Sequence, residues 1–271
     1  MKYTRVEIEG RPRWGRITED GTTVELLFAS PLDTPPSQNP VTGALPVTGA
    51  RWLPPVIPPV FYAVGFNYPR HIAEHGAGTP KSPEIGYRAN NALTGHRSPI
   101  VKPHDVVGRF EAEPELVAVI GRRLRHASYE EARAGIFGWT IGNDVSARTW
   151  QHEDRTFWRA KNSDTFKPMG PWIETGVDAL AQATTLRVNG AVRAQFPTGD
   201  MVFDPYDYIV AMSRRLTLHP GDVLWMGAES TCQLEPGDTV DIEISGIGVL
   251  TNPVHEESPV HEEAFEEGPP P

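Results

Sequence analysis

Glu113-Pro114-Glu115 runs directly into Leu116-Val117-Ala118-Val119-Ile120-Gly121, so carboxylates stand at the mouth of an apolar run with strand character. Strand side chains alternate, so acids two positions apart share a face. The segment after Glu115 is continuously apolar, so the strand is expected to be buried at that end. Acids entering such a setting repel one another unless a cation or a shared proton relieves them. Glu111 falls on the same face, so three acids compete for two ligand roles, and a solvated edge strand carrying Pro114 is the plainer alternative. Asp144 lies between Thr140-Ile141-Gly142 and Val145-Ser146-Ala147, again an acid in apolar surroundings. One hard divalent ion with Glu, Glu and Asp ligands accounts for all of them together.

The rest of the chain suits a mostly β, α+β architecture. With 27 prolines and 25 glycines in 271 residues, loops and short strands are favoured over a helix bundle. Residues 3–28 alternate around the turn signals Glu9-Gly10-Arg11-Pro12 and Glu19-Asp20-Gly21, and predict a short antiparallel unit. Residues 31–59 read as an irregular connection. The expected division is a small N-terminal β-rich unit at 1–55, a catalytic domain at 60–254 and an acidic, disordered tail at 255–271. Strands are expected at 60–65, 115–120, 137–141, 185–188, 223–226 and 239–244; Ser128 with Glu131 predicts a capped helix to about Ala134. The tail repeats His-Glu-Glu at 255–257 and 261–263, and its composition suits a solvated segment better than a chelator.

Net charge is −10, with six glutamates in that tail, so the folded body is only mildly acidic and offers no basic patch for a nucleic acid. The single Cys232 excludes an internal disulfide and suits a reducing compartment. No apolar run reaches membrane-spanning length and the start lacks an apolar signal region, so a soluble cytoplasmic protein is expected.

Two further segments carry chemistry. In Asn67-Tyr68-Pro69-Arg70-His71-Ile72-Ala73-Glu74, a helical turn would place His71 and Glu74 on one face, where the carboxylate could orient a general base. The same spacing suits an exposed ion pair. The following Gly76-Ala77-Gly78-Thr79-Pro80 has the composition of a lid. In Lys161-Asn162-Ser163-Asp164-Thr165-Phe166, the lysine could stabilise a developing oxyanion, while Gln151, His152 and Arg155 are alternatives for contacting an anion.

Taken in order, Asn67-Tyr68-x-x-His71-x-x-Glu74, Glu113-x-Glu115-Leu116, Gly142-Asn143-Asp144-Val145-Ser146-Ala147-Arg148 with Gln151, and Lys161-x-x-Asp164-Thr165-Phe166-x-Pro168-x-Gly170-Pro171-Trp172 resemble the fumarylacetoacetate hydrolase family. Val188-Asn189-Gly190, Pro220-Gly221-Asp222-Val223 and Ile244-x-Gly246-Ile247-Gly248-x-Leu250-x-Asn252 extend the likeness over most of 60–254. The resemblance implies a mixed β-roll or β-sandwich catalytic domain, a homodimer, and Mg²⁺ or Mn²⁺ on Glu113, Glu115 and Asp144, with Glu111 outside the ligand set. It implies a His71–Glu74 dyad that activates water, Lys161 as the catalytic lysine, and Arg88, Gln151 and Thr165 at the substrate. The implied substrate is a small 2-oxo or β-diketo acid such as an acylpyruvate. The implied reaction is metal-dependent C–C bond hydrolysis through a metal-stabilised enolate; the same site also suits decarboxylation of an oxaloacetate-like acid or enol–keto isomerisation. A binding protein that keeps the fold without turnover is the alternative against which the complete set of metal and dyad positions speaks. Two departures bear on the substrate. Trp225-Met226-Gly227-Ala228-Glu229-Ser230-Thr231 stands where the family often has Thr-Gly-Thr-Pro-x-Gly, and Gly86-Tyr87-Arg88 replaces a common Phe-x-Lys.

Overall fold

The computed structural model describes residues 1–258. Its frame is a 12-stranded sheet. Along its main path the order is Val41–Pro46, Thr23–Leu27, Arg11–Ile17, Lys2–Ile8, Lys167–Glu174, Ile136–Asn143, Pro114–Ile120, Val223–Trp225, Phe61–Ala63 and Gly86–Tyr87. Arg51–Leu53 pairs with Lys2–Ile8, and Leu93–Thr94 with Lys167–Glu174. A five-stranded sheet (Ala191–Pro197, Ala183–Val188, Thr239–Ile244, Gly248–Glu256, Ile100–Lys102) and a three-stranded one (Ser146–Ala147, Phe110–Ala112, Cys232–Gln233) complete the layers. The mostly β, α+β class and the mixed-sheet catalytic fold expected from the sequence are what the structure has.

Pro114–Ile120 is buried at every position, and its alternation feeds two cores. Leu116, Ala118 and Ile120 point into the large cluster beneath the five-stranded sheet; Val117 and Val119 pack with Phe61, Met169, Ile173 and Trp225. Each fully buried Val, Leu or Ile contributes about 1.5–3 kcal/mol of transfer free energy, which is why this strand tolerates acids only at its mouth.

The N-terminal strands are sewn to the main sheet by Lys2↔Glu174 and Tyr3↔Ile173, so one sheet runs through residues of both expected units. Residues 31–59, expected to be irregular, contain two strands, Val41–Pro46 and Arg51–Leu53. Their hydrogen bonds to Thr23–Leu27 and Lys2–Ile8 override a Pro- and Gly-rich composition. The expected tail also begins too early. His255 and Glu256 end the Gly248–Glu256 strand opposite Val101 and Lys102, while His104 bonds Glu257 at 3.0 Å. The repeat at 261–263 lies outside the described residues.

The capping box at Ser128 starts the helix Tyr129–Gly135, as its spacing predicts. A second box, Asp204 with Asp207 behind Pro205, starts the unanticipated helix Pro205–Ser213. No helix among the described residues is long and apolar enough to cross a membrane.

Candidate active site

The three candidate ligands are brought together by register. Pro114 pairs with Asn143 and Glu115 with Gly142, so the antiparallel strand Ile136–Asn143 delivers Asp144 across from Glu113. The bond from the Asp144 amide to the Glu113 carbonyl (3.0 Å) and that from the Glu113 amide to Asn143 Oδ1 (3.0 Å) lock this alignment. Gly142 has no side chain because the Trp225 ring lies where one would be; a Cβ there would sit 2.5 Å from the ring. Past Trp225 the chain turns through Gly227 (φ +81°), whose N–H donates to Glu115 Oε2 at 2.9 Å. The result is three buried carboxylates with ligand oxygens within 4.8 Å of one another. Glu115 Oε1 is buried without a hydrogen-bond partner. An orphaned carboxylate oxygen beside two other acids fits an all-oxygen divalent-cation site.

Cations surround the acids. Arg88 holds Asp144 bidentately, Nε to Oδ1 at 3.2 Å and Nη2 to Oδ2 at 2.8 Å. Lys161 Nζ bridges Glu113 (3.0 Å) and Asp144 (2.9 Å). Lys167 Nζ reaches Asp144 Oδ1 at 2.7 Å and also donates to the carbonyls of Val145 and Phe166. Arg148 spans Glu111 (2.7 Å), Glu113 (2.5 Å) and Gln151 (2.8 Å). Glu111 is thus an anchor for Arg148 and Arg109, outside the ligand cluster, in keeping with the motif.

Burial opposes charge on all three ligands, with different outcomes. At Asp144, Arg88, Lys161 and Lys167 outweigh burial and hold the carboxyl well below its usual range. At Glu113, Lys161 and Arg148 do the same. At Glu115, burial is reinforced by the Asp144 and Glu113 charges, and the carboxyl is pushed far up. Burial lowers Lys167 to about 7 against the pull of Asp144.

A cavity of about 590 Å³ opens above the cluster, lined among others by His71, Arg88, Glu113, Arg148, Gln151 and Lys161. Asn67 clamps the backbone behind the wall: its buried side chain donates to the carbonyls of Phe203 (3.0 Å) and Met226 (3.2 Å) and accepts from the Phe203 amide (3.1 Å). From that clamp the short helix Pro69–Glu74 projects His71 toward the cavity. Burial lowers the His71 pKa, helped by His75 and Arg148 and opposed by Glu113 and Glu74, which favours the neutral imidazole.

Other expected residues are placed elsewhere. Glu74 is half exposed and bonds Arg70 Nε at 2.9 Å, so its partner is neither the orienting contact with His71 nor the exposed His71–Glu74 pair that the spacing suits. The Thr165 hydroxyl accepts from the Val101 amide at 2.8 Å, and the residue does not line the cavity, contrary to the expected substrate contact. His152 and Arg155 are exposed and away from it. The segment 76–80 contributes Ala77, Gly78 and Pro80 to the cavity wall. Arg148 and Lys167 had no role assigned from sequence. For Arg148 a signal existed, since Gln151 lies three residues on along the helix Arg148–Glu153; for Lys167 none did.

Comparison with known proteins agrees with this geometry. Residues 60–255 match the model of the fumarylacetoacetate (FAA) hydrolase C-terminal family, and residues 1–55 match the Rv2993c-like N-terminal model. Protein Rv2993c of Mycobacterium tuberculosis is 41% identical over 213 residues, spanning 77% of this chain and 80% of that protein. A structure described as 5-carboxymethyl-2-hydroxymuconate delta-isomerase from Mycobacterium smegmatis superposes with TM-score 0.84 at 35% identity, over 95% of this chain and all of that one. A fumarylacetoacetate hydrolase from Exiguobacterium antarcticum superposes with TM-score 0.83 at 31% identity, with the same coverage. The chain belongs to the fumarylacetoacetate hydrolase family.

Proposed function

We propose that this chain is a divalent-metal-dependent hydrolase that cleaves a C–C bond in an acylpyruvate-like or β-diketo acid. The observation that carries the reading is the buried Glu113–Glu115–Asp144 cluster, with its unpartnered Glu115 oxygen, lying under a cavity walled by His71, Lys161, Arg148 and Gln151. A Mg²⁺ or Mn²⁺ ion held by the three carboxylates would polarise the substrate's 2-oxo group.

The chain's own groups do the rest. Arg148, with Gln151 beside it, presents a guanidinium to the substrate carboxylate. His71, neutral at physiological pH, takes a proton from water at its free ring nitrogen, and Glu74 on the same helix is the candidate to orient it. The hydroxide adds to the distal carbonyl, the C–C bond breaks, and its electron pair passes to the carbon next to the 2-oxo group. That carbon then takes a proton, so one water yields a carboxylic acid and a pyruvate-type 2-oxo acid. Lys161 Nζ, between Glu113 and Asp144, donates to the oxygen on which negative charge develops. The same reading makes the enzyme a cytoplasmic homodimer, its single Cys232 reduced, with residues 60–254 as its catalytic part.

A second reading, enol–keto isomerisation at the same site, is favoured by one observation. Glu74 is bonded to Arg70, and His71 without an orienting carboxylate suits a carbon-to-oxygen proton shift better than attack by water. Incubating the protein with Mg²⁺ and a panel of 2-oxo and β-diketo acids, with products followed by NMR, separates the cases. Paired acid fragments identify the hydrolase, loss of the enol signal alone the isomerase, and CO₂ release a decarboxylase. No turnover of any panel member would overturn the enzymatic reading.

A further inference from the structure

Glu229 lies in the loop after the Val223–Trp225 strand, two residues past the Gly227 amide that holds Glu115. It is 6% exposed. Its Oε2 is buried with no hydrogen-bond partner, and its Oε1 has only a long contact, 3.5 Å, from Arg70 Nη1. Arg70 is itself 64% exposed at the side chain and bonds Glu74 Oε1 through Nε at 2.9 Å. One guanidinium therefore stands between two carboxylates. It is well bonded to the exposed one and barely bonded to the buried one that has greater need of it.

Arg70, His71 and Glu74 share the helix Pro69–Glu74, and Glu74 is one turn from His71 on the same face. While Arg70 holds Glu74, the two are not hydrogen-bonded. We propose that Arg70 is a positioning residue that exchanges carboxylates, leaving Glu74 for the buried Glu229 when the cavity is filled, so that Glu74 is released to orient His71. The exchange gives up an ion pair in solvent, where such pairs contribute little, and completes the partly formed one in a buried pocket, where a full fork-to-carboxylate pairing would satisfy Glu229 Oε2. It also draws the helix carrying His71 onto the loop that fixes Glu115, coupling the base to the ligand cluster. Burial pushes the Glu229 carboxyl up and Arg70 pulls it back, as expected of an acid short of a cation.

This inference rests on the His71–Glu74 dyad of the proposed function, so its test reads the two separately. The Cε1 resonance of His71 is titrated by NMR with Mg²⁺ alone and with Mg²⁺ plus pyruvate, in wild type, Glu229→Gln, Glu229→Asp and Arg70→Gln. The groups facing His71 are Glu113, His75, Arg148 and Glu74, of which only Glu74 changes partner in the exchange. In wild type, pyruvate should raise the His71 midpoint as Glu74 arrives. In Glu229→Gln and Arg70→Gln that rise should be absent, and in Glu229→Asp partly restored. With a substrate from the panel, Glu229→Gln should lower kcat about tenfold with KM nearly unchanged, the size of coupling within one side-chain network. Thermal melts that match wild type establish that the variants are folded. An equal pyruvate-induced rise in wild type and Glu229→Gln, or none in wild type, overturns the exchange. Full turnover by His71→Ala overturns the dyad instead, and leaves the His71 titrations to decide the exchange.

Discussion

The Gly227 amide donates to Glu115 Oε2 at 2.9 Å, and that bond joins the cavity loop to the ligand strand while leaving the other Glu115 oxygen free for a cation. Gly227 sits at φ +81°, and a Cβ would come 3.3 Å from the Val64 carbonyl. Gly227→Ala should therefore cost about 1–2 kcal/mol for the left-handed backbone, measured by urea unfolding. By shifting the amide it should also weaken Mg²⁺ binding about tenfold, measured by titration calorimetry. Wild-type affinity in a folded variant would remove this amide from the site.

Ligand and anchor carboxylates should separate in the same titration. Glu115→Ala and Asp144→Ala are expected to lose more than about 100-fold in Mg²⁺ affinity, beyond the usual effect of an outer partner. Glu111→Gln, altering only the partner of Arg109 and Arg148, should keep saturable binding. Equal affinity in all of them would sink the ligand assignment.

His71→Ala should leave Mg²⁺ binding intact and lower turnover by about 10²–10⁴-fold, the range of a lost general base. Unchanged turnover in the product assay takes His71 out of the mechanism.

Gly142 lies under Trp225 and opposite Glu115, so packing and site are joined there. Gly142→Ala pushes a methyl into the indole and should cost about 1–3 kcal/mol by overpacking. Because its register partner is a ligand, metal affinity should fall with stability. Retained affinity with lost stability would show that strand strain does not reach the cluster.

Stability should fall with acid through His96, which is buried edge-on to Trp52 and accepts from the Thr251 amide at 3.0 Å through Nδ1. Burial, with Arg97 adding, lowers its pKa from 6.5 to about 4. The unfolded chain thus binds a proton between those values that the folded chain refuses. Stability is full above about 6.5 and is lost as pH falls toward 4, by about 3 kcal/mol in all. His96→Asn, which keeps an acceptor for Thr251, should show a correspondingly flatter slope in chemical denaturation over that window. An identical slope would place the acid sensitivity elsewhere.

What the sequence determined by itself was local. The unbroken apolar run after Glu115 required a buried strand, the Ser128–Glu131 spacing required a capped helix, and the ordered motifs pointed to the family and to three ligand carboxylates. These are matters of period, capping chemistry and side-chain type, legible within a few residues. Tertiary structure decided the rest. Strand register, a relation between segments about thirty residues apart, set Asp144 against Glu113. Close packing made Lys167, unremarkable in its own segment, a buried partner of Asp144. The ring of another strand dictated a glycine at 142. Competition among hydrogen-bond partners gave Thr165 to a backbone amide and Glu74 to Arg70, two outcomes that spacing along the chain does not encode. A carboxylate's partner depends on which cation the fold brings within 3 Å, and distance in space is the quantity a linear sequence does not state.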